Sequence, residues 1–352
     1  MPDSFKPKFL ATGIGSLPHK DPAVAVNLVL ERLVDMPYWP QLPNLGPRED
    51  MNQQYAPALT PLVSLEEGAK TIAAFGGLSR EDALAGFFER LMGGDLDSFG
   101  LSKDNACGFF LFMEKVAAAP EGAFPWIKGH VTGPLTFAAS VMGPDEKALL
   151  YDEEVADALA RGLGVAGAAQ VKQMEHLGRP AMMFIDEPFL SGYGSAFTPV
   201  SRDTVINLLS ATMEELRARV DVVIGIHCCG NTDWGMLVDA GADVINLDSA
   251  GFGEHLLLYP EKVRELMERG GAVAWGTVPT SEFKGDETGR GLWDDLHGLL
   301  KALEDKGLPH DLLASQSLVT PACGMGSLDE AKAEAILDLT VGVSELAREE
   351  YA

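Results

Sequence analysis

Short apolar runs that stop abruptly at a glycine, proline, cysteine or carboxylate recur eight times along this chain, each followed by helical spacing, and that alternation leaves few folds open. The runs begin near Phe9, Met36, Trp126, Ala181, Val222, Val244, Ala272 and Gln316. The second, Met36-Pro-Tyr-Trp-Pro-Gln-Leu-Pro, is too rich in proline to be a central strand over its whole length. A short, irregular strand is expected there, then a loop-like segment to about residue 80. Asp21-Pro22 opens a helix to about Val34, and Ser79 caps a helical region from Glu81 to Ala119 that is interrupted near Gly93 to Gly108. Another helix is expected over Glu146 to Leu177. Behind Ser201, the residues Val205, Leu208, Leu209, Thr212, Met213 and Leu216 mark one buried helical face, as Ile336, Leu339, Val343 and Leu346 do in the last helix. Eight strands alternating with helices give a TIM (β/α)8 barrel, a single domain over residues 1–352. A doubly wound open sheet is the alternative.

With 352 residues, 46% of them hydrophobic, the chain can bury a large core. A net charge of −25 repels phosphate backbones and anionic bilayers, so the expectation is no nucleic acid and no membrane. A small molecule or another protein is the expected partner. No run of about 18 apolar residues occurs, and Met1-Pro-Asp-Ser shows neither a basic stretch nor an apolar one, which predicts a cytoplasmic protein. Four cysteines, two of them adjacent, do not make a disulfide framework; they read as ligands or as core residues.

The chemistry concentrates at Val222 to Asp233, where Val-Val-Ile-Gly-Ile runs straight into His-Cys-Cys-Gly-Asn. On a strand His227 and Cys229 face one way and Cys228 the other. If the strand ends one residue early, Cys228 takes the place of Cys229. Cys323, in Leu318-Val-Thr-Pro-Ala-Cys-Gly-Met-Gly, again breaks an apolar run at a Cys-Gly turn. An imidazole and two thiolates at the mouth of a barrel form a site that prefers zinc, with Asp248 at the end of the sixth strand as a displaceable fourth ligand. Such an electron-rich zinc activates water poorly but holds an incoming thiol as a thiolate. The plainer reading, small buried hydrophobes, is preferred for Cys107 and Cys228. Of the pair Asp186-Glu187, Asp186 is expected to point into the site, where it can meet an ammonium or move a proton, and a helix cap is the alternative for such carboxylates. Ser16 and its neighbouring amides can receive a carboxylate or simply form a turn. His19, His130, His255, His297 and His310 show no spacing that singles them out.

Taken together, Ile14-Gly-Ser, Thr132-Gly-Pro-Leu-Thr, Ile185-Asp-Glu-Pro, His227-x-Cys229, Asp248 and Cys323-Gly resemble, in order, the catalytic-barrel signatures of the cobalamin-independent methionine synthase family, within the uroporphyrinogen-decarboxylase-like group of TIM barrels. The resemblance implies zinc-dependent methyl transfer to a thiol such as homocysteine, and hence a methyltransferase of methionine biosynthesis. It also implies His227, Cys229 and Cys323 as zinc ligands, Asp248 in the place of a glutamate ligand, and Ile14, Gly15 and Ser16 with Asp186 holding the acceptor's carboxylate and ammonium. The chain departs from the folate-using members at Ser140, where they have a tryptophan, and after Trp275-Gly-Thr-Val, where a histidine is missing. A corrinoid protein or methylcobalamin is therefore expected as methyl donor rather than methylfolate. An accessory zinc-binding barrel without catalysis and a metal-free enzyme similar to uroporphyrinogen decarboxylase are the competing readings.

Overall fold

The computed structural model describes residues 5–66, 71–196 and 198–352; the Met1-Pro-Asp-Ser start and part of the loop expected before residue 80 lie outside them. Nine strands appear among the described residues: β1 (Leu10–Ala11), β2 (Val63–Ser64), β3 (Ala73–Ala74), β4 (Ile127–Thr132), β5 (Ala181–Asp186), β6 (Val223–Cys228), β7 (Val244–Asp248), β8 (Ala272–Val278) and β9 (Ser317–Pro321). Seven of them form one all-parallel sheet in the order β1-β9-β8-β7-β6-β5-β4. The small antiparallel pair β2–β3 sits inside the long segment expected to be loop.

The sheet is an α/β barrel, with residues 36–42 spanning its seam. Tyr38 bridges Lys128 of β4, and Gln41 bridges Ser16 just past β1, both in parallel sense. Lys128 N donates to Pro37 O at 2.9 Å, and Leu17 N and Gln41 O meet at 2.9 Å. This is the irregular second strand foreseen in the sequence. Pro37 and Pro40 have no N–H to donate, which is why the segment makes isolated bridges instead of a ladder.

Two hydrophobic layers result from the two-residue alternation along each strand. Met182, Phe184, Val223, Val244, Ala272, Ala274 and Leu318 join Ile14 and Met36 in an inner cluster, while Met183, Ile185, Ile224, Ile226 and Val273 pack outward against the helices. An inner core drawn from all round the sheet belongs to a closed barrel and rules out the doubly wound alternative. The helix Arg202–Arg217 buries Val205, Leu208, Leu209, Thr212, Met213 and Leu216, and Ser201 Oγ caps it by accepting Thr204 N at 3.0 Å. The interrupted region after Ser79 resolves into helices Arg80–Met92 and Cys107–Ala118. The next long helix starts later than Glu146, at Glu153, where the Asp152 side chain supplies the cap. No helix among the described residues is long and apolar enough to cross a membrane.

Candidate metal centre

The alternation that builds the inner layer carries His227 and Cys229 to the barrel mouth on one face. Cys228 points outward, fully buried in the helix-facing core, and burial pushes its thiol up to about 12. Cys323 lies two residues past β9, in a loop tied to the chain after β1: Met325 N donates to Ser16 O at 2.9 Å and Gly326 N to Ser16 Oγ at 3.1 Å. A Cβ on Gly324 would stand 2.4 Å from Ser16 Oγ, so a side chain there would push that hydroxyl off Gly326 N. One ligand atom each from His227, Cys229 and Cys323 then lies within 4.8 Å of the others.

The protonation of His227 is set by its neighbours. Asn246, inward-facing on β7, donates through Nδ2 to the Ala274 carbonyl and to Thr320 Oγ1, each at 2.9 Å. Because the carbonyl can only accept, the amide oxygen must face His227, whose Nδ1 lies 2.6 Å away. Nδ1 therefore carries the proton. Nε2 is left with a lone pair, buried and without a hydrogen-bond partner among the described residues, which is the form of imidazole that ligates metals. The Cys229 thiol is pulled strongly down by the Cys323 thiol beside it, while Cys323 is pushed up in return. One imidazole lone pair with two converging thiols fits a tetrahedral, borderline-soft ion such as zinc.

Asp248 ends β7 and caps the helix Ser249–Leu256, its Oδ1 accepting Gly251 N at 2.7 Å. Burial raises its carboxyl, against the pull of the Gly251 amide, and it is not among the three converging groups. Asp186 stands in register with Thr132 on one side and His227 on the other, and its Oδ1 is buried without a partner among the described residues. Burial pushes its carboxyl up to about 6, against the pull of Lys128. Glu187 turns the other way and caps the helix Pro134–Ser140, accepting Leu135 N at 2.8 Å, Thr136 N at 2.9 Å and Thr136 Oγ1 at 2.6 Å. The two carboxylates thus divide between site and scaffold. Ile14 contributes its carbonyl to Lys128 Nζ at 2.6 Å, and Ser16 holds the Cys323 loop. Cys107 lies away from the trio, its amide donating to Glu49 Oε1 at 2.8 Å.

Lys128, His130 and Asn246 were not singled out from the sequence. Each is a polar residue in the middle of an apolar strand, two positions from another inward-facing polar residue, and that spacing was the available signal. A cavity of about 1100 Å³ opens beside Cys229, with Asp248, Glu254, Glu282, Glu287 and Asp295 in its lining against the single cation Lys284.

No protein-family model matches the chain, and no curated protein matches it. Among solved structures, a B12-independent methionine synthase from Shewanella sp. W3-18-1, in complex with selenomethionine, is similar at 20% identity over 68% of this chain and 67% of that one, with a TM-score of 0.47. The structure of ZgEngAGH5_4 in complex with a cellotriose is similar at 10% identity over 67% and 87%, with a TM-score of 0.26. At these values neither likeness carries an argument about function.

Proposed function

We propose that this chain is a zinc-dependent methyltransferase that moves a methyl group to the thiol of an amino acid such as homocysteine. The observation that carries the reading is the convergence of the unpartnered His227 Nε2 with Cys229 and Cys323 inside 4.8 Å. Methyl transfer, as against other thiol chemistry, rests on the motif resemblance described above. The three side chains would hold the ion, with His227 oriented by Asn246 and Cys323 by Ser16. Zinc so held supplies a positive charge that lowers the pKa of an incoming thiol and keeps it nucleophilic. Asp186, one strand away from His227 and with a free carboxylate oxygen, receives the acceptor's ammonium. Asp248 stays outside the proposed ligand set, as a helix cap that shapes the adjoining cavity.

The donor enters by the cavity beside Cys229. Its acidic lining and the net charge of −25 oppose the anionic tail of a methylfolate. Ser140, the residue in place of the aromatic wall, spends its hydroxyl on the Phe137 carbonyl at 2.7 Å. Methylcobalamin, free or on a corrinoid protein, is the proposed donor. Its Co–C bond breaks with the electron pair left on cobalt, the new C–S bond forms on the acceptor sulfur, and the thiol proton goes to solvent. The test is loss of the methyl–cobalt absorbance with homocysteine as acceptor, beside methyltetrahydrofolate under the same conditions. Turnover with the corrinoid, abolished by His227→Ala, is expected; turnover with the folate alone would return the chain to the folate-using branch.

A further inference from the structure

We propose that His130, in place of Ile14, Gly15 and Ser16, receives the carboxylate of the acceptor, with Lys128 below it as the supporting positive charge, so that the barrel interior beneath the trio is a subsite for an α-amino acid zwitterion. The inference deepens the thiol-acceptor reading and rests on it for the acceptor's third group.

Strand β4 is buried along its whole length and yet carries Lys128 and His130. Alternation puts both on the inner face with Thr132, while Val131 joins the outer core. The His130 ring is only 3% exposed, and neither of its nitrogens has a hydrogen-bond partner among the described residues. It is held on both sides, stacked on Trp39 with ring centroids 3.9 Å apart and so close to Gly15 that a Cβ there would stand 3.0 Å from the imidazole. A fixed, buried donor left unpaired is costly, and a bound anion would pair it.

Lys128 is fully buried, and its ammonium lies 4.2 Å from the Phe184 ring centroid and hydrogen-bonds the Ile14 carbonyl rather than a carboxylate. Burial pulls the Lys128 ammonium down to about 7 while Asp186 holds it up, so this side of the interior is electropositive where Lys128 keeps its proton. Burial, and then Lys128, push His130 well below its ordinary pKa, so it presents a neutral N–H donor beside that charge. The opposite pole is the unpartnered Oδ1 of Asp186.

These groups stand in order across three adjacent strands: His130 on β4, Asp186 on β5 in register with Thr132, and His227 on β6 in register with Asp186. Neighbouring strands lie about 4.8 Å apart. An α-amino acid thiol has its carboxylate and ammonium on one carbon and its sulfur a few bonds further on. Carboxylate at His130, ammonium at Asp186 and sulfur toward His227 is the same order.

The test uses the zinc-loaded protein and three ligands: homocysteine, L-2-aminobutyrate, which lacks the thiol, and 3-aminopropanethiol, which lacks the carboxylate. Binding is read by calorimetry and by NMR of the histidine rings. L-2-aminobutyrate is expected to shift the His130 resonances saturably in the wild type, a measurement that needs no variant to fold. His130→Phe keeps the ring on Trp39 and removes the donors; it should weaken homocysteine and L-2-aminobutyrate roughly 10- to 100-fold and 3-aminopropanethiol less than roughly twofold. His130→Gln, which restores a donor, should recover part of the loss. Equal weakening of all three ligands, or His130 resonances that stay in place at saturating L-2-aminobutyrate, would overturn the proposal. If those resonances move but homocysteine binds no tighter than L-2-aminobutyrate, the zwitterion subsite stands and the thiol reading fails.

Discussion

Replacing Asn246 with leucine tests whether the orientation of His227 is built into the barrel. The substitution is close to isosteric and removes three hydrogen bonds: 2.6 Å to His227 Nδ1 and 2.9 Å each to Ala274 O and Thr320 Oγ1. Without the amide oxygen the imidazole loses the acceptor that fixes its Nδ1–H tautomer, and Nε2 no longer presents its lone pair by default. Outer-shell partners of ligating histidines contribute a factor of about 10–100 in metal affinity, so zinc should bind Asn246→Leu about 1.4–2.7 kcal/mol more weakly. The metal-free protein should also unfold at lower denaturant, because Ala274 O and Thr320 Oγ1 lie in a fully buried site and lose a donor. Asn246→Asp separates the two effects. It keeps an acceptor for Nδ1–H, so zinc affinity should stay within about tenfold of the wild type, but it turns an oxygen toward the Ala274 carbonyl and should lower stability further. The assay is competition for zinc with a chromophoric chelator, alongside urea unfolding of the metal-free proteins. A folded Asn246→Leu protein with wild-type zinc affinity would falsify the orientation argument.

Cys229→Ser, Cys323→Ser and His227→Ala should each lose zinc by metal analysis, while Cys228→Ser and Cys107→Ser keep it; zinc retained in Cys229→Ser but lost in Cys228→Ser would put the register of β6 in error by one residue. Asp186→Asn should weaken homocysteine relative to propanethiol by about 1.5–3 kcal/mol in calorimetric titrations, and equal losses would remove Asp186 from acceptor recognition. Burial of Glu187 raises its carboxyl from 4.5 to about 7, so between those values the folded state holds a proton that the unfolded chain has released. Its contribution to stability is therefore largest below about pH 4.5 and declines as pH rises to about 7; the slope of unfolding free energy across that window should flatten in Glu187→Gln, and an unchanged slope would assign it to other groups.

What the sequence made legible follows from how much each feature depends on local order. The two-residue alternation of a strand needs nothing beyond the chain itself, and it placed His227 with Cys229 and set Cys228 aside, as the structure shows. The junction of Cys323 with that pair depends on closure of the barrel, so it was reachable only through the count of strands. The seam at residues 36–42 was seen as irregular because prolines remove donors, but its bridges to both β1 and β4 depend on partners more than 20 residues away on either side. Asp248 and Ser16 show the opposite limit. A carboxylate and a hydroxyl at strand ends can serve a ligand or their own backbone, and here one caps a helix and the other ties down the Cys323 loop. For His130 the only local signal was its two-residue spacing from Lys128 and Thr132, because its meaning lies in two nitrogens that find no partner among the described residues.

The central claim is that His227, Cys229 and Cys323 hold one zinc to which a thiol is added, and X-ray absorption at the zinc edge reads that coordination directly. Protein purified without chelators is expected to carry about one zinc per chain with two sulfurs and one imidazole, and homocysteine should add a third sulfur at about 2.3 Å. No zinc, or a sulfur count that does not change when homocysteine is bound, would contradict it.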